Sequence, residues 1–126
     1  SAADLADVVD RAMTARPQAL LVLTSPDVFA ARTRIAEGAL RHPLPTAGIF
    51  PAFADAGGLL GYGPDLLGMY RQAAQYVDRI LKGARPADLP IQRPSKFQFV
   101  INLKTARALG LTIPAFLLAR ADKVVE

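Results

Sequence analysis

The chain has 126 residues, of which 52% are hydrophobic and 21% charged, with no cysteine and a formal net charge of +4. Its length fits one domain of about 100 to 200 residues, and its apolar content excludes a disordered chain. The lack of cysteine excludes disulfides, thiolate metal sites and cysteine nucleophiles.

The positive charge lies in the second part of the chain. Residues 63–126 carry ten Lys and Arg against five Asp and Glu, whereas residues 1–62 carry five against six. The basic residues are spread out and are not interleaved with aromatic residues that stack on bases, so we expect no nucleic-acid partner. A solvated helix face is the simpler interpretation.

The first elements alternate between helix and strand. Asp4 is placed to cap a first helix whose apolar residues follow helical spacing, and Arg16-Pro17 ends it. The unbroken apolar run Ala19 to Leu23 predicts a parallel strand buried on both faces. Thr24 to Asp27 then predicts a turn into the next helix.

A second helix is predicted from Val28 to Leu40 and a second strand from Thr46 to Phe50. This second strand starts 27 residues after the first, the spacing of a strand–helix–strand crossover. A short turn or helix from Ala52 to Ala56 leads into a third strand, Leu59 to Tyr62.

A long amphipathic helix follows over residues 65–82. Gly63 or Asp65 starts it, and Gly83 is placed to end it in a left-handed conformation. Its predicted apolar stripe needs a cover; the stripe consists of Leu66, Tyr70, Ala73, Val77, Ile80 and Leu81.

The last third begins with a proline-rich connector at residues 84–94. A fourth strand is predicted from Lys96 to Asn102, and Asn102 is expected to cap a short helix that Gly110 closes. A final helix is predicted from Thr112 to about Ala119.

Three ordered strings resemble a known family. They are YGPDL at residues 62–66, YVDRILKGARPADLP at 76–90 and KFQFVINLKTARALGLTIP at 96–114. They resemble the C-terminal end of ABC-transporter substrate-binding proteins, in the family that includes binders of tryptophan and other aromatic amino acids. The resemblance extends less tightly through residues 19–45 and 56–63.

The resemblance implies an α/β fold with a Rossmann-like parallel sheet and flanking helices, one lobe of a type I periplasmic-binding-protein fold. In this interpretation residues 1–126 form a single lobe. Residues 1–61 are the core of the second lobe, 62–85 the hinge crossing and long helix, and 86–126 the return to that lobe. The first lobe and an export signal have no counterpart in this sequence, so we expect a piece of a larger protein or a shortened one.

The resemblance also implies a function. A full member captures a small solute such as an amino acid when its two lobes close, and the closed form docks on an ABC permease. Such proteins work in the periplasm or at the cell surface. No cofactor and no catalytic step belong to this activity.

Ligands of open parallel sheets bind beyond the carboxyl ends of the strands. At the first such end, Ser25 and Asp27 are candidates for binding a polar group of the solute, with Asp27 meeting an amine. The alternative is that both residues cap the following helix.

The next two strand ends supply the other candidates. Pro51 and Phe53 offer an apolar wall, although Phe53 also fits the core. Tyr62 combines a ring with a hydroxyl, which suits a cleft or a buried site within its own lobe. Gly63 beside it completes the candidate ligand-binding set.

Signals for other activities are weak. His42, the only histidine, lies between a helix end and Pro43. At this place its ordinary role is a favourable interaction with the dipole at the C-terminus of the helix. The glycines at residues 57–63 are not placed as a dinucleotide fingerprint, and no metal-ligand cluster is present. We therefore expect no enzyme. The competing hypothesis is a non-catalytic lobe that hides the stripe of helix 65–82 by forming a homodimer.

Overall fold

The computed structural model describes residues 2–23 and 25–126, with side chains in the first helix described from Asp7 onward. Thr24, the first residue of the predicted turn, lies outside this part. The first helix begins at Ala2, so Asp4 lies inside this helix and is not its cap. In the described part the α-helices are α1 (Ala2–Ala12), α2 (Pro26–Ala30), α3 (Arg32–Arg41), α4 (Pro51–Asp55), α5 (Leu66–Leu81), α6 (Leu103–Ala108) and α7 (Ala115–Leu118).

A five-stranded sheet runs in the order β1-β2-β3-β4-β5. The strands are β1 (Leu20–Val22), β2 (Thr46–Gly48), β3 (Leu60–Pro64), β4 (Phe97–Asn102) and β5 (Lys123–Val125). The first three are parallel to one another, and β4 is parallel to β5. Because the Asn102 amide donates to the Leu59 carbonyl while Tyr62 faces Phe99, β3 and β4 run in opposite directions. The sheet confirms the predicted α/β class with a mostly parallel sheet.

Helices cover one face of the first strands. Val9 of α1, Ile35 of α3 and Phe53 of α4 belong to one buried cluster, and Leu20 and Val22 pack against it. The cluster therefore lies between these helices and one face of the sheet.

The opposite face of β1 is open, which corrects the prediction of a strand buried on both faces. Leu21, between the two inward-facing residues of β1, is 64% exposed. The run is apolar on both faces, but the described helices lie against only one of them. An apolar pattern indicates which surface favours burial, but it does not show whether another element of the chain packs against that surface.

The predicted helix from Val28 to Leu40 is two helices. α2 begins earlier, because Pro26 occupies its first turn and Ser25 caps it. It ends at Ala31, a buried residue whose φ of −87° and ψ of 3° leave the helical region. The helical periodicity of the sequence continues through this break, so it gave no sign of two helices.

Residues 64–97 form a compact unit of their own, separate from the unit made of the residues up to Gly63 together with 98–126. Residues 86–97, which the resemblance placed in the return to the second lobe, group with α5. Within this unit the Tyr76 hydroxyl donates to the Pro90 carbonyl, and Gln72 donates to Gln92. These bonds tie the proline-rich segment to α5. The assignment of either unit to a lobe stays a prediction.

α5 has the predicted ends. The Asp65 carboxylate accepts from the Gly68 amide at 3.1 Å, and Gly83 has a φ of +100°. All of α5 is described, and none of its residues is buried. Tyr70 is 75% and Leu81 81% exposed, so these two residues of the predicted stripe have little cover in the described chain.

The C-terminal part differs from the prediction at its end. Asn102 caps α6 and Gly110 follows it with a φ of +67°, as expected. α7 has only four residues and starts after Pro114. β5 was not predicted, because a run of three residues is too short for a pattern of alternation; its pairing with Val100 to Asn102 forms the strand.

Candidate functional site

The first loop of the candidate site joins β1 to α2. The Ser25 hydroxyl accepts a hydrogen bond from the Val28 amide at 3.3 Å, so the capping alternative describes its position. Asp27 lies in the first turn of α2 with an exposed side chain. Its negative charge interacts favourably with the dipole at the N-terminus of this helix. Its carboxylate points to no hydrogen-bond partner among the described residues, which leaves it accessible to a solute.

The second loop joins β2 to α4. Phe50 is the residue before α4, and Pro51 occupies the first position of that helix, which needs no amide donor. The Phe50 ring meets the Phe29 ring of α2 edge to face, with centroids 6.0 Å apart. This aromatic pair brings the loops after β1 and β2 together.

The end of β3 lies directly against the second loop. A side chain at Gly63 would place its Cβ 1.9 Å from the Ile49 carbonyl oxygen, and one at Gly61 would lie 2.8 Å from that of Phe50. Only glycine allows this approach of two backbones. Gly63 and Pro51 therefore belong to neighbouring segments, as the sequence hypothesis requires.

Phe53 and Tyr62 point to different surroundings. Phe53 is 4% exposed and belongs to the core cluster, with its ring over Gly48 and Gly58. Tyr62 is 59% exposed, and its ring packs edge to face on Phe99 with centroids 6.3 Å apart. Packing in the core accounts for Phe53, whereas Tyr62 offers accessible surface on the sheet.

Arg32 is a charged residue of this region that the sequence reasoning missed. It is the first residue of α3, and its Nη1 donates to the Phe29 carbonyl at 2.8 Å. Its Cζ lies 4.6 Å from the centroid of the Phe29 ring. A cavity of about 20 Å³ is lined by Arg32, Phe29 and Phe50 among other residues. The sequence gave little indication of a binding role for Arg32, because Arg32 is one of several polar residues in the predicted helix from Val28 to Leu40.

His42 follows α3 as its capping residue, as the dipole argument expected, and pairs with the Asp10 carboxylate. Across the part of the chain that the structure describes, no three His, Asp or Glu side chains are grouped to hold a metal ion. The same residues include no helix long and apolar enough to cross a membrane.

Comparison with known families agrees with this architecture. A family model described as ABC transporter substrate binding protein matches residues 1–125. The chain belongs to the ABC transporter substrate-binding protein family. This confirms the resemblance read from the sequence. Members of the family are solute-binding proteins and are typically extracytoplasmic.

Two solved structures are similar at 28% identity. One is a conserved domain protein from Vibrio cholerae O1 biovar El Tor N16961, with a TM-score of 0.90 over 98% of this chain. The other is an ABC domain from Streptococcus pneumoniae in complex with L-Trp, with a TM-score of 0.89 over 99% of this chain. This chain spans 42% of the length of each.

A third structure supports the fold alone. CD0873 from Clostridium difficile, a substrate-binding protein with adhesive properties in a ligand-free open form, is 16% identical with a TM-score of 0.66. The match covers 99% of this chain and 41% of that one. No curated protein sequence matches this chain.

Proposed function

We propose that this chain supplies one solute-binding face of an ABC importer's substrate-binding protein. The solute is a small molecule such as an amino acid, and it is captured when two lobes close on it. The observation that carries the proposal is the meeting of the loops after β1 and β2 through the Phe29–Phe50 pair, at the carboxyl ends of parallel strands. A similar protein bound to L-Trp supports an amino acid as the solute.

The candidate residues take different roles in this proposal. Asp27 pairs with an amine of the solute, and Ser25, whose hydroxyl caps α2, lies at the same strand end as the second polar candidate. Pro51 and Gly63 form the wall that the solute meets. Phe53 supports that wall from the core, and Tyr62 contributes its exposed ring.

The mechanism needs no covalent chemistry. The solute stabilises the closed form in proportion to its higher affinity for that form. Docking of the closed form on a permease, outside the cytoplasm, then delivers the solute. These steps belong to a whole substrate-binding protein. The matched structures are more than twice the length of this chain.

A thermal-shift and NMR screen of the 126-residue chain with amino acids, sugars and organic acids tests this function. We expect an amino acid to bind and Asp27→Asn to weaken its affinity about tenfold, the loss typical of a bond to a charged group. Asp7→Asn, which changes an exposed carboxylate of α1, is the matched control. Binding that is equal in both variants would reject Asp27, and no binding of any solute would reject the function for this chain.

A second candidate is a non-catalytic domain that associates with another copy through helix 65–82. The exposure of Tyr70 and Leu81 on a helix without a buried residue favours it. Light scattering after size exclusion tests it. A dimer that Leu81→Lys converts to a monomer supports this candidate, and a monomer at all concentrations rejects it.

A further inference from the structure

The Arg32 guanidinium is held in place, and no carboxylate among the described residues pairs with it. Its bond to the Phe29 carbonyl and its position over the Phe29 ring fix its orientation. None of the ion pairs among the described residues includes Arg32. This is a rigid cation whose charge the described fold does not neutralise.

The Phe29 carbonyl and ring at the end of α2 attract the Arg32 guanidinium, but the start of α3 offers its charge no compensation. The residue opens α3, where the helix dipole disfavours a cation, and the first turn of α3 has no acidic residue to compensate it. The side chain is partly buried beside apolar residues, so it has lost part of its hydration. Because buried charges are normally paired, a partly buried cation without an acidic partner among the described residues is a candidate for a functional role.

The surroundings define what Arg32 is able to bind. One of its five N–H donors is used by Phe29, and the remaining planar edge matches the two oxygens of a carboxylate. The neighbouring surface is apolar, with Leu23, Ile49 and Phe50 lining the same cavity. At about 20 Å³ this cavity admits only a small group. The body of a solute would therefore lie outside this cavity.

We propose that Arg32 is a specificity-determining residue that binds the carboxylate of the solute, while the apolar part of the solute rests on Phe29 and Phe50. This inference rests on the proposed solute-binding function. It narrows the substrate class to carboxylic acids with an apolar or aromatic body, such as apolar amino acids. Neutral sugars and amines without an acid group are excluded.

The test compares acids with their amides. The ¹⁵N-labelled 126-residue chain is titrated with L-tryptophan, L-phenylalanine and L-leucine, and with the carboxamide of each. At least one acid should shift the Arg32 Nε–Hε signal and bind about tenfold or more tightly than its amide, because a bidentate pair is lost in the amide. Arg32→Gln should remove this preference. Arg34→Gln, an exposed cation of the same helix turn, should retain it.

Each outcome decides the proposal. Equal affinity for acid and amide, or an acid preference that persists in Arg32→Gln, overturns the role of Arg32 and leaves the proposed function intact. If sugars bind and none of the six probes does, the role of Arg32 is also overturned and the proposed function stays intact. If no solute binds at all, the role of Arg32 and the proposed function are both overturned. If Arg32→Gln does not fold, the acid-to-amide ratio and the Arg32 signal of the unaltered chain decide. Arg32→Lys then adds a variant that keeps the charge but loses the planar fork.

Discussion

Replacement of Asn102 by alanine removes two hydrogen bonds at once. Asn102 is 4% exposed. Its Oδ1 accepts from the Thr105 amide at 3.0 Å and so caps α6. Its Nδ2 donates to the Ala54 carbonyl at 2.9 Å, which ties the end of β4 to α4. The cap of α6 and the link between β4 and α4 therefore both depend on this one side chain.

The expected loss follows from these two bonds. Removal of a capping side chain costs about 1 kcal/mol. The Ala54 carbonyl loses its side-chain donor but keeps the Gly57 amide, so this loss adds about 0.5 to 1.5 kcal/mol. We therefore expect Asn102→Ala to lower the free energy of unfolding by about 1.5 to 2.5 kcal/mol. For a domain of this size the midpoint of thermal unfolding falls by about 10 °C.

Circular dichroism during urea and thermal unfolding measures this loss. Asn102→Asp separates the two bonds, because the carboxylate keeps the cap but places an oxygen against the Ala54 carbonyl; it should be at least as destabilising as alanine. Lys104→Ala, an exposed change in the same helix, should stay within about 0.5 kcal/mol of the original chain. An Asn102→Asp variant as stable as the original would refute the contribution of the Ala54 bond.

Three further predictions concern backbone approach and sheet cover. Gly63→Ala should destabilise by about 2 to 3 kcal/mol, since its Cβ meets the Ile49 carbonyl and one of two backbones must move; a melting temperature equal to that of the original chain would contradict this. Gly38→Ala should instead stabilise by about 0.5 to 1 kcal/mol, because its site in α3 has only ordinary contacts; a urea midpoint below the original would disagree. Leu21→Thr should leave stability nearly unchanged while Val22→Thr lowers it by about 1 to 2 kcal/mol, since only Val22 packs on the core; equal losses in urea would argue that both faces of β1 are covered.

The features that local rules determine were predictable from the sequence. Asn102 and Asp65 cap helices because their side chains reach amides three residues ahead. Gly83 and Gly110 end helices because they adopt positive φ values. Each of these features depends on a few neighbouring residues, so the sequence alone contains the information.

The features that depend on distant contacts were not predictable. The break at Ala31 lies inside a continuous helical pattern, and β5 exists because it pairs with β4. The position of Arg32 over Phe29 follows from the same break, because α3 restarts with its first side chain beside α2. A candidate site residue was therefore missed for the same reason as the helix boundary.

Apolar patterning predicted burial in two places where the described chain leaves surface open. Leu21 lies on β1 of the sheet unit, and the stripe with Leu81 lies on α5 of the other unit. More than half of each matched structure has no counterpart in these 126 residues, so related proteins have chain available to cover such surfaces. A second copy is the other source of cover. The two sources differ in consequence, because association of copies depends on protein concentration and cover within one chain does not.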